Sequence, residues 1–252
     1  MARYDFRSPR LFVDATLAEG TDIALERAQA NYLVNVLRLK PGGDVLVFNG
    51  RDGEWRARLA ATAKKGATLG IVERTRAQTA AGDLHYLFAP LKHARLDYVV
   101  QKAVEMGASR LLPILTRHTQ AERVNLARMR ANAIEAAEQC GILNLAEVAE
   151  PVKFDAFARG WKADRLLVFC DEDADVKDPR AALSAGRGSS IAGPLPVSVL
   201  IGPEGGFAAD ERDALLKLPN VIRLALGPRI LRADTAAVAA LALVQTVLGD
   251  WR

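Results

Sequence analysis

The sequence predicts an α/β protein built from two domains, and three observations support this prediction. Up to about residue 75, short β-branched runs alternate with Gly, Pro and Asn turn signals, which is typical of a small β-rich domain. From residue 84 onwards, compact apolar runs of strand length alternate with longer segments of helical periodicity, which is typical of a parallel sheet covered by helices. Two glycine-rich segments near the C-terminus each follow one of these apolar runs.

The first domain is predicted to contain four strands and one helix. The strands are 11–13, 44–48, 55–60 and 67–72, and the helix is 26–38. Turn signals such as Pro41-Gly42-Gly43 separate them, and we expect the strands to form a barrel. The segment 76–83 has no hydrophobic periodicity and marks a boundary, so the two domains are predicted to span residues 1–76 and 77–252.

The second domain is predicted to be a parallel sheet with covering helices. The strands are 84–89, 110–115, 165–169, 197–201 and 221–225, and the helices are 95–106, 123–140 and an alanine-rich helix that begins near Thr235. Gly107 is placed to end the first of these helices. The segment 186–196 is rich in Gly, Ser and Pro and is predicted to be a surface connection.

The excess of positive charge lies in the first domain. The chain has 252 residues and a net charge of +4. Residues 1–80 carry 13 Lys and Arg against 9 Asp and Glu, whereas residues 81–252 carry 21 of each. A solvated surface is the usual explanation of a basic surplus of this size, and a nucleic-acid partner is the alternative.

Motifs and composition argue against several functional classes. No GxGxxG follows the first strand of the α/β domain, and the chain has neither a GxxxxGK[ST] nor a GxSxG motif. Cys140 and Cys170 are too few for a cysteine zinc site, and the three histidines lack metal-ligand spacing, so we expect no metal. The apolar stretch 236–248 is too short to span a bilayer, and we expect a cytoplasmic protein.

The two glycine-rich segments carry the strongest indication of a ligand site. They are Ile201-Gly202-Pro203-Glu204-Gly205-Gly206-Phe207 and the segment 226–236, which reads LGPRILRADTA. Glycine lets a ligand approach the peptide groups directly. Either loop alone is also explained by a tight turn, whereas two such loops at neighbouring strand ends would frame one binding crevice.

The sequence GPEGGF followed by LGPRILRADTA resembles the RsmE-type family of SPOUT-class RNA methyltransferases. Further segments resemble this family in the same order along nearly the whole chain. They are 10–13 (RLFV), 32–39 (YLVNVLRL), 53–57 (GEWRA), 101–108 (QKAVEMGA) and 138–140 (EQC). Any one segment would be weak evidence, but the ordered set is specific.

This resemblance implies a fold, an activity, a cofactor and partners. The implied fold is a PUA-like RNA-binding β-barrel followed by a SPOUT α/β domain whose C-terminal part forms a trefoil knot. Because threaded chains are nearly absent among folds, the knot is expected from the resemblance alone. The implied activity is methylation of uracil N3 in 16S rRNA of the small ribosomal subunit, by a homodimer that uses S-adenosyl-L-methionine.

The resemblance and the loop chemistry together predict the binding residues. The expected cofactor contacts are Leu200, Ile201, Gly202, Gly205, Leu226, Gly227, Ile230, Leu231 and Thr235. The expected RNA contacts are Arg7, Arg10, Tyr32, Arg38 and Lys40, which supply cations and one aromatic stacking surface. Tyr32 is equally compatible with a place in the core.

Two residues are candidates for catalysis. Transfer to uracil N3 requires loss of the N3 proton, and the negative charge then spreads over two ring carbonyls. Arg232 is the candidate electrostatic stabiliser, placed just before Asp234, the expected cap of the last helix; pairing with Asp234 or with an RNA phosphate is the alternative. Glu204 is a candidate base, and its alternative role is to organise the loop by accepting backbone N–H bonds.

Three positions depart from the family pattern. Ile142 and Ala146 stand where the family often has arginine and proline, and Asn31 stands where histidine is common. Lys102 and Glu105 lie in a family segment and form either an i,i+3 surface pair or part of the site. Because the cofactor loops are intact, we expect an active enzyme. The alternatives are a SPOUT methyltransferase acting on a ribose 2′-hydroxyl or another base, and a non-catalytic RNA-binding factor.

Overall fold

The computed structural model describes residues 8–63, 66–121, 123–175, 178–186 and 196–251. The chain forms two compact units. The first consists of residues 1–80 together with 137–145, and the second of residues 81–136 and 146–252. The boundary at residue 80 lies close to the expected one at 76, but the membership of 137–145 in the first unit differs from the prediction. Most of the expected connection 186–196 lies outside the described residues.

A five-stranded sheet forms the first unit. Its strands are β1 (Arg10–Phe12), β2 (Asp22–Ala24), β3 (Asp44–Phe48), β4 (Glu54–Ala63) and β5 (Gly66–Arg76). They are arranged in the order β1-β3-β4-β5-β2, with β1 parallel to β3 and the other neighbours antiparallel. The β-rich prediction is confirmed. The pairings of the described strands leave β1 and β2 at the two edges, so they do not join the sheet into the closed barrel we expected.

The helix of the first unit is shorter and less regular than the predicted 26–38. An α-helix, α1 (Arg27–Asn31), continues into a π-helical turn at Tyr32–Val36. Leu33 is fully buried in the core of the unit, whereas Val36 is 61% exposed. Arg38 follows the turn with a positive φ of 56°, in the left-handed region that few side chains adopt. The helical periodicity is therefore broken where the sequence alone predicts a continuous helix.

A buried ion-pair network centred on Glu54 organises the first unit. The Glu54 carboxylate lies 2.8 Å from Arg10 Nε and 2.7 Å from Arg76 Nη2. The side chains of Arg10 and Glu54 are only 2% and 3% exposed. Arg10 Nη1 also donates to the carbonyl of Ala137 at 2.6 Å, and Arg76 Nη2 donates to that of Gly141 at 3.0 Å. The network thus holds the segment 137–145 in the first unit.

These contacts correct the prediction that Arg10 contacts RNA. The Arg10 guanidinium is surrounded by protein acceptors, and its ring contact with Phe48 places Cζ 4.5 Å from the ring centroid. Arginine side chains commonly donate to the carbonyls at the end of a helix. The Arg10 side chain is 2% exposed, so it is withdrawn from solvent and from RNA. The basic residue in the RLFV segment is therefore structural.

The Glu54 network predicts that the protein loses stability in acid. Burial by itself raises the pKa of Glu54, but the hydrogen bond from Arg76 and the charges of Arg10 and Arg76 outweigh it, so the pKa lies below its ordinary 4.5. A carboxylate with a lowered folded-state pKa stabilises above the unfolded pKa and loses that contribution as the pH falls through the folded value. We expect the unfolding free energy, measured by urea denaturation, to fall below about pH 4.5. A flat profile down to pH 3 would contradict this account of Glu54.

The second unit is built on a seven-stranded parallel sheet. Its strands are β6 (Leu84–Phe88), β7 (Arg110–Leu115), β8 (Glu147–Val148), β9 (Val152–Lys153), β10 (Leu166–Cys170), β11 (Val197–Ile201) and β12 (Val221–Leu224). The order is β12-β10-β11-β6-β7-β8, and β9 pairs with β7. Every strand pairing in this sheet is parallel. The predicted α/β domain is therefore confirmed.

In the described part of the chain, six helices precede, follow or lie between these strands in sequence. They are α2 (His93–Glu105), α3 (Leu126–Cys140), α4 (Phe154–Gly160), α5 (Pro179–Gly186), α6 (Ala209–Leu216) and α7 (Ala233–Val247). Gly107 has a φ of +85° just beyond α2, as expected of a glycine that ends a helix. Gln245 of α7 donates from Nε2 to the carbonyl of Met106 at 2.6 Å, which ties the last helix to the end of α2. No helix in the described part of the chain is long and apolar enough to cross a membrane.

Candidate cofactor and active site

Three adjacent strands of the second unit end at one cavity. The glycine-rich loop GPEGGF follows β11, and the loop LGPRILRADTA follows β12. We expected these strands to be neighbours, but β10 lies between them. The loop after β10 therefore enters the site as a third wall. Ligand sites of parallel α/β sheets lie at the carboxyl ends of strands where the strand order reverses, and this arrangement has that form.

The cavity has a volume of about 430 Å³. It is lined by residues 170–172, 201–204, 206–207, 224–233 and 236. Six of the nine predicted cofactor contacts lie in this lining, namely Ile201, Gly202, Leu226, Gly227, Ile230 and Leu231. Backbone groups of the two loops and apolar side chains form much of the wall, and Ile230 is 92% exposed.

Three predicted cofactor contacts are not in the cavity lining. Leu200 is fully buried within β11 and packs in the core of the sheet, because alternate residues of a strand face opposite sides. Gly205 lies against the His118 side chain, whose Nδ1 is 3.2 Å from the Gly205 carbonyl. Thr235 is exposed in the first turn of α7, and its neighbour Ala236 reaches the cavity instead.

The backbone at position 202 lies so close to the Phe207 ring that only glycine fits there. A Cβ atom at position 202 would lie 2.7 Å from Cε2 of the Phe207 ring. That ring is held by Phe169 and Phe154, with centroid separations of 5.4 and 6.1 Å. Since the ring is packed between aromatic neighbours, moving it would cost free energy through lost packing contacts. The absence of a side chain at position 202 lets the loop fold back over its own phenylalanine.

Gly202→Ala is expected to destabilise the second unit. The added methyl group must displace either Phe207 or the loop, and overpacking of this kind costs about 1–3 kcal/mol. The measurement is urea denaturation of the variant beside Gly160→Ala, because a Cβ at position 160 meets no atom within 4 Å. We expect Gly160→Ala to stay within about 0.5 kcal/mol of wild type. Equal effects of the two substitutions would contradict the packing argument.

Asp171 is a buried carboxylate held by two arginines at the end of β10. Its side chain is 3% exposed, and its Oδ2 lies 3.0 Å from Arg212 Nη2 and 2.8 Å from Arg223 Nη2. Burial alone raises the pKa of Asp171, but the hydrogen bonds from both arginines outweigh it and leave the pKa below its ordinary value. Asp171 is therefore ionised and neutralised by its partners. It fixes the end of β10 against β12, which carries Arg223.

Cys170 precedes Asp171 in the same wall. Burial raises the pKa of the Cys170 thiol to about 12, and the adjacent Asp171 charge adds to the effect. The thiol is protonated near neutral pH and is no nucleophile there. Cys140 is exposed, and the two cysteines are not joined by a disulfide.

Glu204 lies in the cavity wall and forms an ion pair with Arg95 of α2. The two side chains are 42% and 39% exposed. A carboxylate engaged by an arginine is held by charge-assisted hydrogen bonds. The partner of Glu204 is a side chain of α2 and not the backbone N–H groups expected of the organising role.

Arg232 is the N-cap residue of α7 and lines the cavity. The predicted cap, Asp234, instead lies in the first turn, where its Oδ1 accepts the backbone N–H of Thr235. Among the described residues, Arg232 forms no ion pair, so the alternative pairing with Asp234 is absent. Arg229, which was not among the predicted site residues, also lines the cavity. The site thus presents two cationic side chains from one loop.

The remaining predicted RNA contacts lie in the first unit. Arg38 and Lys40 are exposed, whereas Tyr32 is half-buried and packs against the core of the unit. Arg7 lies outside the described residues. Asn31 accepts a hydrogen bond at 2.8 Å from the side chain of Asn35, one turn later. The predicted surface therefore retains two exposed cations and part of one aromatic ring.

The Lys102–Glu105 pair lies outside the cavity lining. Lys102 and Glu105 form an i,i+3 ion pair at 2.6 Å, and neither residue lines the cavity. Within the described ranges, no group of three His, Cys, Asp or Glu side chains is placed to hold a metal ion.

Comparison with known proteins defines the class of this chain. A family model for an RNA methyltransferase domain matches residues 78–245, and one for an RNA methyltransferase PUA domain matches residues 25–72. The chain therefore belongs to the RNA methyltransferase family, with an N-terminal PUA domain. More particularly, the ribosomal RNA small subunit methyltransferase E of Rickettsia conorii is 28% identical over 237 residues, covering 94% of each chain. The resemblance to the RsmE-type family is thereby confirmed.

Solved structures agree with this assignment. A protein from Legionella pneumophila described as a methyltransferase, in complex with the bound cofactor SAM, is 27% identical to this chain. The TM-score is 0.82, and the match covers 95% of this chain and 98% of that chain. The ribosomal RNA small subunit methyltransferase E of Neisseria gonorrhoeae, bound to S-adenosyl methionine, has a TM-score of 0.84 at 24% identity, covering 98% and 100%. The latter likeness supports the fold.

Proposed function

We propose that this chain transfers the methyl group of S-adenosyl-L-methionine to N3 of a uridine in the 16S rRNA of the small ribosomal subunit, in the cytoplasm. The observation that carries the proposal is one cavity walled by both glycine-rich loops, in a chain related over nearly its full length to small subunit rRNA methyltransferases E. The solved relative with bound SAM adds support, because its match covers both units.

The cavity has the size and chemistry that this cofactor requires. Its volume of about 430 Å³ falls within the ~300–1,000 Å³ typical of small-molecule sites. We assign the purine to the apolar residues Leu226, Ile230 and Leu231, and its hydrogen bonds to the peptide groups of the two loops. Cys170 is protonated and is not expected to compete as a methyl acceptor.

The residues of this chain then act mainly by alignment and electrostatics. The cofactor supplies an electrophilic methyl group on a sulfonium, which transfers by in-line displacement. We assign to Arg232 the stabilisation of negative charge on the uracil carbonyls as the N3 proton passes to solvent water. Its position at the N-terminus of α7 adds the positive end of the helix dipole. Glu204, paired with Arg95, is assigned to holding the loop.

We assign RNA binding to the first unit. Its basic surplus and the exposed Arg38 and Lys40 suit contacts with phosphates. The half-buried Tyr32 offers at most the exposed part of its ring for stacking. Arg10 is not among the proposed contacts, since it belongs to the Glu54 network.

We also propose the trefoil knot and the homodimer implied by the family. For the knot, the support is that β10 precedes β11 and β12 in sequence and yet lies between them, so the chain must cross over β10 before α7. For the homodimer, the support is the family resemblance, and sedimentation of the purified protein with and without RNA is the test.

Methyl incorporation tests the proposed function. The purified protein would be incubated with methyl-labelled S-adenosylmethionine and, in parallel, with small subunits, naked 16S rRNA and large subunits from cells lacking the endogenous activity. We expect label in 16S rRNA and none in the large subunit. Cofactor binding without label in 16S rRNA in either form would contradict the proposal and favour a non-catalytic RNA-binding factor.

A further inference from the structure

Among the described residues, three carboxylates line the cavity, and arginines neutralise two of them. Asp171 is buried between Arg212 and Arg223. Glu204 is paired with Arg95. A carboxylate whose charge is compensated by an arginine fork has little remaining attraction for a cationic ligand. The third carboxylate, Glu172, has no arginine partner within the ranges that the structure describes.

Glu172 is exposed to the cavity and has no hydrogen bond or ion pair with any residue in the described part of the chain. Its carboxylate lies close to the glycine-rich loop that follows β11, because a Cβ atom at Gly206 would be 3.1 Å from Glu172 Oε1. Gly206 has a φ of +69°, which an amino acid with a side chain rarely adopts. The carboxylate from the β10 loop therefore lies beside the glycine pair of the β11 loop.

We propose that Glu172 binds the ammonium group at the methionyl end of S-adenosylmethionine. The inference rests on the proposed function and adds a specific residue to it. An ammonium group carries three N–H donors, and an ionised carboxylate is acceptor-only, so the two form charge-assisted hydrogen bonds. Of the carboxylates that line the cavity in the described ranges, Glu172 is the one whose oxygens accept from no arginine.

The ammonium is a better partner for Glu172 than the sulfonium. The sulfonium has no N–H donor, and its positive charge disappears as the methyl group is transferred. An anion placed against it would stabilise the bound cofactor more than the transition state, which raises the barrier to transfer. The ammonium keeps its charge throughout the reaction. A carboxylate directed at the ammonium therefore gives affinity and orientation without this penalty.

Calorimetric titration of wild type and Glu172→Gln with three ligands tests the inference. S-adenosylmethionine carries both the sulfonium and the ammonium, S-adenosylhomocysteine carries the ammonium alone, and 5′-methylthioadenosine carries neither. A charge-assisted hydrogen bond contributes about 1.5–3 kcal/mol, so we expect Glu172→Gln to weaken the first two ligands by about 10–100-fold. The affinity for 5′-methylthioadenosine is expected to change less than about 2-fold. Asp175→Asn, which removes an exposed carboxylate from the same loop outside the cavity, is the matched control and is expected to behave as wild type.

Each other outcome overturns the inference in a distinguishable way. Loss of affinity for S-adenosylmethionine alone would assign Glu172 to the sulfonium. Equal loss for all three ligands, or no loss for any, would remove the ammonium contact. Failure of wild type to bind any of the three would overturn the proposed function itself.

Discussion

Arg232→Ala is expected to lower kcat for methyl transfer by about 10²–10³-fold, the effect of removing one preorganised electrostatic contact to a developing oxyanion. Arg232 lines the cavity, begins α7 and forms no ion pair within the described residues, so its charge is available to the substrate. The measurement is single-turnover transfer at saturating RNA and cofactor, with the affinity for S-adenosylhomocysteine determined separately. We expect that affinity to change by less than the transfer rate.

Two further variants define the role of Arg232. Arg232→Lys keeps the charge but loses the planar fork, and we expect an intermediate rate. Arg180→Ala removes an exposed cation of α5 outside the cavity, and we expect a wild-type rate. An increase in KM for RNA with an unchanged kcat would contradict the electrostatic role and assign Arg232 to an RNA phosphate.

Glu54→Gln is expected to destabilise the first unit by about 3–5 kcal/mol, because removing one partner of a buried ion pair leaves the other charge uncompensated. Here the substitution leaves the charges of Arg10, whose side chain is 2% exposed, and Arg76 without their carboxylate. The measurement is urea denaturation combined with hydrogen exchange of the amides of β4 and β5. Exchange of these amides should accelerate at denaturant concentrations where the second unit is still protected.

Glu73→Gln is the matched control for Glu54→Gln. Glu73 lies on β5 and pairs with Arg56 of β4 at 3.1 Å, but the two side chains are 55% and 43% exposed. An exposed pair contributes about 0–1 kcal/mol, since water screens it. Similar losses in the two variants would contradict the view that the Glu54 network is a buried anchor.

Local sequence patterns predict several strands to the residue. The strands β3, β7 and β11 begin and end at the predicted residues, because short runs of apolar, strand-forming residues bounded by turn signals mark them clearly. The patterns miss β2, whose three residues are too few for a period to emerge, and α6, whose eight residues show hardly any helical periodicity of apolar side chains.

The composition of the site depends on the strand order, which no local pattern encodes. Both glycine loops and Arg232 are identified from sequence, and they do line the cavity. Asp171 and Glu172 are missed because the insertion of β10 between β11 and β12 is a tertiary property. A signal was available, since the compact apolar run of β10 is followed directly by Asp171-Glu172, and acidic residues just beyond a parallel strand are candidates for a site.

The error at Arg10 has the same physical origin. From sequence, Arg10 in the first domain is predicted to bind RNA phosphates. Its partner Glu54 is distant in sequence and meets Arg10 only when β1, β3 and β4 assemble. Charge counts therefore locate the basic domain without distinguishing buried from exposed cations. Arg38 and Lys40, which are exposed, keep their proposed role.

The most direct test of the central claim is the identity of the methylated nucleoside. Small subunits from cells lacking the endogenous activity would be incubated with this protein and methyl-labelled S-adenosylmethionine, and the rRNA would be digested to nucleosides for mass spectrometry. We predict label in N3-methyluridine, and its loss with Arg232→Ala. Label in a ribose-methylated nucleoside or on another base would contradict transfer to uracil N3.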